Sequence, residues 1–187
     1  MLSKSELRAI IKEKILDMDY GKKTKMDKKI RDNIYSLEEY CTAKNIFTYV
    51  SKGKEVDTID LITHSIDIGK TVCVPLTKKD TNSLEIRKIE YLTDLIVGNF
   101  NILEPNEHTK KANTKEIELL FIPGLAFGTG CERLGRGGGY FDRFLSKSCG
   151  LKIGLAYEFQ IFDSLPVQKH DIKMDMIITD ARLISYV

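Results

Sequence analysis

The most chemically informative part of the chain is a glycine-rich segment, residues 123–145. It holds seven of the chain's 13 glycines, together with Arg133, Arg136 and Arg143. Glycine lets backbone amides approach an anion closely, and arginine neutralises phosphate through paired, charge-assisted hydrogen bonds. Asp142 stands where a carboxylate could hold a magnesium ion against those phosphates. The segment therefore predicts a phosphate-binding loop, with a plain surface turn as the alternative that composition alone leaves open.

The segment does not match the common nucleotide-binding motifs. The phosphate loop GxxxxGK[ST] is absent from the sequence, and so are the protein-kinase signatures. Residues 135–140 satisfy only the first half of the dinucleotide fingerprint GxGxxG, and they lie late in the chain. We therefore expect a phosphate loop of another type.

The elements around this segment predict how it is positioned. The apolar run at 118–122 predicts a buried strand before the loop, and a helix is expected from about Gly138 to Ser146. The start of that helix adds unpaired N–H groups and a partial positive charge. A strand, a glycine-rich loop and a helix in this order make a cradle for phosphate.

The rest of the chain predicts an α/β fold. Ser3 and Glu6 read as a capping box, Tyr20-Gly21 should close the first helix, and region 98–115 should be a loop. Further helices are expected at about 24–40 and 57–68, the latter ended by Gly69, and further strands at 45–50, 71–75, 84–89, 152–157 and 176–179. Alternating strands and helices imply a three-layer, doubly wound, mostly parallel sheet with helices on both faces, within one domain spanning 1–187. Ligands should bind at the rim formed by the residues that follow the central strands.

Composition narrows the class of partner. The excess of 29 basic over 27 acidic residues is too small to argue for nucleic acid or an anionic membrane. The four cysteines form no CxxC pair and the three histidines are scattered, so zinc and disulfides are not expected. The N-terminal residues carry charges where a signal peptide would be apolar, and no apolar run approaches the ~20 residues of a membrane span. We expect a cytoplasmic monomer that acts on a small molecule.

With these motifs in view, the chain resembles the 5-formyltetrahydrofolate cyclo-ligase family, whose members are also called methenyltetrahydrofolate synthetases. The most specific match is Arg133-Leu-Gly-Arg-Gly-Gly-Gly-Tyr-Phe-Asp142. Further matches follow in order along nearly the whole chain, at residues 4–8, 49–51, 55–58, 69–70, 75, 101–105, 123–127 and 170–175.

The resemblance implies a reaction that depends on ATP and magnesium. It closes 5-formyltetrahydrofolate to 5,10-methenyltetrahydrofolate and releases ADP and phosphate. The N5-formyl group is an amide and a poor electrophile, so phosphorylation of its oxygen would prepare it for attack by N10. Phosphoryl transfer requires mainly positioning and charge neutralisation, and no nucleophilic side chain is needed.

The resemblance also assigns expected roles to individual residues. Arg136, Tyr140 and Asp142 are expected to be catalytic, and Asp142 and Asp171 to bind magnesium. The residues expected at ATP are Lys4, Ser5, Glu6, Leu7, Arg8, Arg133, Leu134, Gly135, Arg136, Gly137, Gly138, Gly139, Tyr140 and Phe141. The residues expected at the folate are Arg8, Val50, Glu55, Arg136, Gly137, Gly138, Gly139 and Tyr140. A carboxylate such as Glu55 suits the donor-rich edge of a pterin.

Structural roles for the same residues stay open at this point. Lys4 and Arg8 lie one helical turn apart and could simply be solvated. Glu55 could belong to a helix cap, and Asp142 could favour the start of a helix without binding a metal. Asp171 could pair with its neighbour His170 or cap a turn.

The chain departs from the family pattern at the entry to the loop. Where the family usually reads Phe-Asp-x-x-Gly-x-Arg, this chain reads Phe127-Gly-Thr-Gly-Cys-Glu-Arg133, which lacks the acid and has a glycine one place early. Two other functions therefore remain as alternatives. One is a folate- or nucleotide-binding protein of the same fold without turnover, and the other is a sugar-phosphate or coenzyme-A-type enzyme on a similar sheet.

Overall fold

The computed structural model describes residues 3–168 and 171–186, apart from the side chain of residue 100. The helices are α1 Lys4–Asp17, α2 Tyr20–Tyr35, α3 Glu38–Thr42, α4 Ile59–Asp67 and α5 Tyr140–Leu145. The strands are β1 Asn45–Thr48, β2 Thr71–Lys78, β3 Ser83–Ile89, β4 Leu95–Val97, β5 Leu103–Pro105, β6 Leu119–Pro123, β7 Ala126–Gly128, β8 Arg133–Leu134, β9 Leu151–Leu155, β10 Ile161–Phe162, β11 Met176–Ile178 and β12 Leu183–Ser185.

The predicted central sheet is confirmed. Its strand order is β12-β11-β9-β6-β1-β2-β3, and the neighbours from β11 to β2 run parallel. The edge strands β12 and β3 pair antiparallel with their neighbours. The first four residues of β6, Leu-Leu-Phe-Ile, are all buried, as expected for a strand covered on both faces.

Helices cover both faces of this sheet, as predicted. Side chains of α2, α3 and α4 form one core with Leu119 and Phe121 of β6. Leu120 and Ile122 point to the other face, where Phe144 of α5 packs against Phe47 with ring centroids 4.7 Å apart. The alternation along β6 therefore feeds two separate cores, which is the physical basis of the three-layer arrangement.

The first two helices differ from the prediction at their junction. Ser3 and Glu6 form the predicted capping box. Tyr20-Gly21, however, begins α2 and does not close α1, because Asp19 accepts a hydrogen bond from the Lys22 amide and caps the second helix. An aspartate at the N-cap satisfies an otherwise unpaired amide, and this local gain outweighs the helix-ending tendency of glycine. The helix predicted at 24–40 is divided into α2 and α3.

Two small sheets lie where loops were predicted. Strand β4, just before region 98–115, pairs with β5, which lies inside that region. Strands β7 and β8 lie inside the glycine-rich segment and form a three-stranded sheet with β10, which comes later in the chain. These strands have only two or three residues, too few to show alternation. The second sheet is packed against α1, whose Leu7 and Ile11 lie in one core with Ala126 and Leu134.

The topology creates a crevice beside the glycine-rich segment. After β1 the chain crosses by α4 to β2 on one side, whereas β6 lies on the other side of β1. The carboxyl ends of β1 and β6 therefore flank the point where the strand order reverses, the usual ligand position in open α/β sheets.

Within the described residues, no helix is long and apolar enough to cross a membrane.

Candidate active site

A cleft of about 1290 Å³ opens at the carboxyl ends of β1 and β6. Its walls come from three parts of the chain: the residues that follow β1, the glycine-rich segment, and one face of α1. The predicted site residues that line it are Lys4, Arg8, Val50, Glu55, Arg133, Leu134, Gly135, Arg136, Gly137, Gly138, Gly139, Tyr140, Phe141, Asp142 and Asp171. Residues distant in sequence thus meet around one cavity.

Three predicted residues on α1 lie elsewhere. Ser5 is exposed, and Glu6 is occupied by the capping box with Ser3. Leu7 is buried in the core beneath the small sheet. The helical period explains the division, because Lys4 and Arg8 are one turn apart on the face toward the cleft and the intervening residues turn away.

Arginine side chains hold the glycine-rich segment in place. Arg8 Nε donates to the carbonyl of Gly135 at 2.9 Å, and an Arg143 amino group donates to the carbonyl of Gly138 at 2.8 Å. Gly137 and Gly139 have φ of 104° and 68°, a region that a side chain would make unfavourable. The segment is therefore shaped by its glycines and fixed by side chains from α1 and α5.

The tip of the β2–β3 hairpin also contacts the segment. Tyr140 donates its hydroxyl hydrogen to Asn82 Oδ1 at 3.0 Å, and Arg143 Nε donates to the Asn82 carbonyl at 2.7 Å. Asn82 has φ of 48°, typical of asparagine in a tight turn. Asn82 was not among the predicted site residues, although an asparagine between two strands is a visible turn signal.

The two carboxylates predicted as magnesium ligands each pair with a cation. Asp142 Oδ1 lies 2.7 Å from Arg133 NH2, and the Arg133 side chain is only 3% exposed. Asp171 Oδ2 lies 2.5 Å from Lys4 Nζ and accepts a hydrogen bond from the Gln168 amide at 2.7 Å. Among residues 3–168 and 171–186, no group of three or more histidine, cysteine, aspartate or glutamate side chains could hold a metal. His170, the suggested neighbour of Asp171, lies outside the described residues.

A second ion pair bridges the two walls of the cleft. Arg136 NH2 from the glycine-rich segment lies 2.6 Å from Glu55 Oε1, and Glu55 Oε2 accepts from the Lys52 amide at 2.9 Å. The Arg136 side chain is 66% exposed. An ion pair this exposed contributes at most about 1 kcal/mol, so a ligand can separate it easily.

The cleft as a whole is suited to an anion. Among the described residues that line it, seven are lysine or arginine and four are aspartate or glutamate. This positive excess lies in a concave site, which concentrates the field on a bound ligand. Val50, buried directly after β1, and Phe141 add apolar surface. The cleft can therefore accommodate both phosphates and a flat, partly apolar molecule.

The atypical entry to the loop has a spatial explanation. A Cβ atom at Gly128 would lie 2.1 Å from Glu132 Oε2, so the Glu132 carboxylate occupies the space beside that glycine. Glu132 Oε1 is 2.9 Å from Lys173 Nζ, and this pairing raises the pKa of Lys173. Cys131 adopts φ of 61°, where the family pattern has glycine. The acid missing at position 128 is thus replaced in space by one from position 132.

An open α/β sheet with a cationic cleft at its strand ends defines an α/β protein of the kind that binds anionic ligands at the switch point of the sheet. The comparison with known families makes this specific. Residues 1–180 match the model of the 5-formyltetrahydrofolate cyclo-ligase family, and the chain belongs to this family. The chain is therefore a member of a ligase family, as the sequence motifs predicted.

Individual relatives agree with this assignment over nearly the whole of this chain. A 5-formyltetrahydrofolate cyclo-ligase from Mycoplasma genitalium is 30% identical over 95% of this chain and 98% of its own. A mitochondrial cyclo-ligase from Arabidopsis thaliana is 28% identical over 97% of this chain and 75% of its own. The NMR structure of the Aquifex aeolicus 5,10-methenyltetrahydrofolate synthetase matches with a TM-score of 0.88 and 31% identity, covering 98% of this chain and 92% of that one.

Proposed function

We propose that this chain converts 5-formyltetrahydrofolate to 5,10-methenyltetrahydrofolate in a reaction that consumes ATP, requires Mg²⁺ and releases ADP and phosphate. Family membership supports the reaction class. The observation that carries the ATP-dependent part is the glycine-rich segment, with Arg8, Arg133 and Arg136 around a single cleft. A triphosphate requires backbone amides that can approach its oxygens closely and several guanidinium groups that can neutralise its charge.

The chemistry explains the need for ATP. The formyl oxygen attacks the γ-phosphorus, and the bond to ADP breaks. N10 then attacks the activated formyl carbon, the bond from that carbon to the phosphorylated oxygen breaks, and phosphate leaves with the former formyl oxygen. N10 loses its proton, and the product is the methenyl bridge. The side chains of the cleft need to orient the two substrates and neutralise charge, not to form a covalent intermediate.

The proposed roles are those that the resemblance to the family implies, and the position of these side chains around one cleft supports them. Lys4, Arg8 and Arg133 neutralise the phosphates, while Arg136 stabilises the charge that develops on the transferred group. Tyr140 and Phe141 flank the segment and offer ring surface to the substrates. Glu55 accepts hydrogen bonds from the pterin, and Val50 contacts the pterin ring. When ATP and folate bind, they compete with the pair between Arg136 and Glu55 and take one partner each.

Asp142 and Asp171 are the residues that would hold Mg²⁺. Their donors are carboxylate oxygens, the ligand type that magnesium prefers, and nucleotide-bound magnesium usually takes only one or two of them. The ion would supply further neutralisation of the phosphate charge. Arg133 and Lys4 keep the two carboxylates oriented toward the same cleft.

The test follows product and atoms together. The purified chain should form methenyltetrahydrofolate, measured by its absorbance, only when ATP and Mg²⁺ are both present, with one ADP and one phosphate for each product. Substrate labelled with ¹⁸O in the formyl group should deliver the label to inorganic phosphate. Folate binding without any ATP-dependent product would contradict the proposal. Release of the ¹⁸O label into water, and not into inorganic phosphate, would contradict phosphorylation of the formyl oxygen.

The cytoplasmic location and monomeric state remain predictions. The relative from Arabidopsis thaliana is named as mitochondrial, so membership of the family does not by itself fix the compartment. Light scattering during size-exclusion chromatography would measure the mass, which for a monomer is 21.3 kDa. Fractionation of the source cell would measure the location.

A further inference from the structure

A buried ion pair on α2 contacts the segment at residues 51–58, which carries Glu55. Lys23 Nζ and Asp27 Oδ2 are 2.6 Å apart on successive turns of α2, and each side chain is 11% exposed. A pair this buried is favourable only when further hydrogen bonds offset the loss of hydration. Neither residue is among the described residues that line the cleft. The pair therefore needs an explanation beyond direct ligand binding.

The second oxygen of Asp27 connects the pair to Tyr157. Asp27 Oδ1 lies 2.8 Å from the hydroxyl of Tyr157 and accepts a hydrogen bond from the Asp57 amide at 3.1 Å. Tyr157 follows β9 and is 1% exposed. Burial, followed by the charge of Asp27, raises the pKa of Tyr157, so the hydroxyl remains a donor at physiological pH.

The same hydroxyl reaches the backbone of Glu55. Its oxygen is 3.1 Å from the Glu55 carbonyl oxygen, so its single proton can be donated to Asp27 or to Glu55. The segment around Glu55, residues 51–58, is held by two further buried contacts. Tyr49 donates its hydroxyl hydrogen to the Val56 carbonyl at 2.9 Å, and Thr58 donates to the Tyr49 carbonyl at 2.7 Å.

Asp27 and Tyr157 therefore form the link between a rigid helix and the backbone at Glu55. The Glu55 side chain itself lines the cleft, where it pairs with Arg136. Recognition by a carboxylate loses strength when its position shifts by about 1 Å, because hydrogen bonds depend steeply on distance and angle. Loss of the hydroxyl would remove the contact at the Glu55 carbonyl and leave the Asp57 amide as the remaining hydrogen bond from this segment to Asp27, without touching the ligand.

We propose that Tyr157 and Asp27 are positioning residues that set the place of Glu55 and thereby the affinity for the folate. The inference rests on the proposed function, in which Glu55 binds the pterin. It adds two residues, neither of which touches the substrate. Because the residues assigned to ATP lie on α1 and in the glycine-rich segment, and not in residues 51–58, the effect should fall on the folate and not on ATP.

The test compares two buried tyrosines. Tyr157→Phe removes the hydroxyl without changing the volume of the ring, and Tyr40→Phe is the matched control. Tyr40 is 2% exposed, its hydroxyl lies 2.9 Å from Ser65 Oγ, and it is not among the described residues of the cleft. We expect Tyr157→Phe to weaken binding of 5-formyltetrahydrofolate, measured without ATP, by about tenfold. Its KM for ATP should stay within about twofold of the parent, and Tyr40→Phe should leave both constants unchanged.

A second measurement separates positioning from general loosening. In a Glu55→Ala background, Tyr157→Phe should weaken folate binding by less than about twofold, because the residue acts through Glu55. Asp27→Asn, which keeps an acceptor, should weaken folate binding less than Tyr157→Phe. Equal effects of Tyr157→Phe and Tyr40→Phe, or an undiminished effect in the Glu55→Ala background, would overturn the inference while leaving the proposed function intact. Failure of the parent chain to bind folate would overturn both.

Discussion

Asp142 has two roles that a well-chosen pair of substitutions can separate. It is the proposed magnesium ligand, and it is also the ion-pair partner of Arg133, whose side chain is 3% exposed. Asp142→Ala removes both roles at once. Asp142→Asn removes the negative charge needed for the metal but keeps an oxygen that can accept the hydrogen bond from Arg133.

The structure sets the expected stability losses. Removal of one partner from a buried pair costs about 3–5 kcal/mol, and the 22% exposure of Asp142 places Asp142→Ala at the lower end of that range. For a chain of this length, that loss corresponds to a fall in Tm of about 6–12 °C. Asp142→Asn should cost about 1 kcal/mol, or about 2–4 °C. Domains are stable by about 5–15 kcal/mol, so both variants should be folded at 25 °C.

The expected activities do not follow the stabilities. Both variants should lose about 10²–10³-fold in turnover, because each loses the carboxylate that would hold Mg²⁺, and with it the neutralisation of charge at the phosphates. The Mg²⁺ concentration needed for half-maximal rate should rise in both. The assay combines thermal unfolding with initial rates of methenyltetrahydrofolate formation at 25 °C, at saturating ATP and a series of Mg²⁺ concentrations.

Glu118→Gln is the matched control. Glu118 lies before β6 at the end of the strand away from the cleft, and its carboxylate accepts hydrogen bonds from the amides of Lys44 and Asn45 at 2.7 and 2.8 Å. These contacts lower the pKa of Glu118, so the substitution should reduce stability but not turnover. Near-normal turnover and an unchanged Mg²⁺ requirement in Asp142→Asn would refute the magnesium role and leave Asp142 as a structural partner of Arg133.

Three further predictions follow from other contacts. Arg136→Ala should reduce turnover by about 10²-fold while Tm changes little, since its side chain is 66% exposed; a large fall in Tm would argue against a purely catalytic role. Gly128→Asp should lower Tm, because a Cβ there would lie 2.1 Å from Glu132 Oε2. The same substitution should be tolerated together with Glu132→Ala, and thermal unfolding of the two single variants and the double variant tests whether an acid at position 128 can replace the one at position 132. Gly150→Ala should lower Tm, because its Cβ would lie 2.4 Å from the carbonyl oxygen of Ile117, a backbone atom with little freedom to move; an unchanged Tm would show that the strands adjust.

The reliable sequence predictions were those with local physical causes. The buried run of β6 and the capping box of Ser3 and Glu6 depend on neighbouring residues only, and both are present in the structure. The three-stranded sheet behind the glycine-rich segment was missed because its strands are too short to show alternation, and because β10 pairs with β7 from a distant part of the chain. Phe127 of β7 pairs with Ile161 of β10, and both strands are too short to be predicted from a pattern of alternating residues.

Helix boundaries show the same limit on a smaller scale. Tyr20-Gly21 looked like the end of α1, and whether it ends one helix or begins the next depends on which side chain caps it. The Asp19 side chain caps α2, so Tyr20-Gly21 begins the second helix. Residue identities alone left both outcomes open, because glycine is tolerated at a helix start and favoured at a helix end.

Residue identities and their order were enough to show the available chemistry, namely a glycine-rich segment, arginines and carboxylates in an order specific to one family of ligases. Which of these groups meet depends on the folded chain. Glu55 contacts Arg136 although 81 residues separate them, and Lys4 contacts Asp171 across 167 residues. Strength of an ion pair depends on distance and burial, which arise from the way β1, β6 and α1 converge. For the same reason, the link from Asp27 through Tyr157 to Glu55 became visible only in the folded chain.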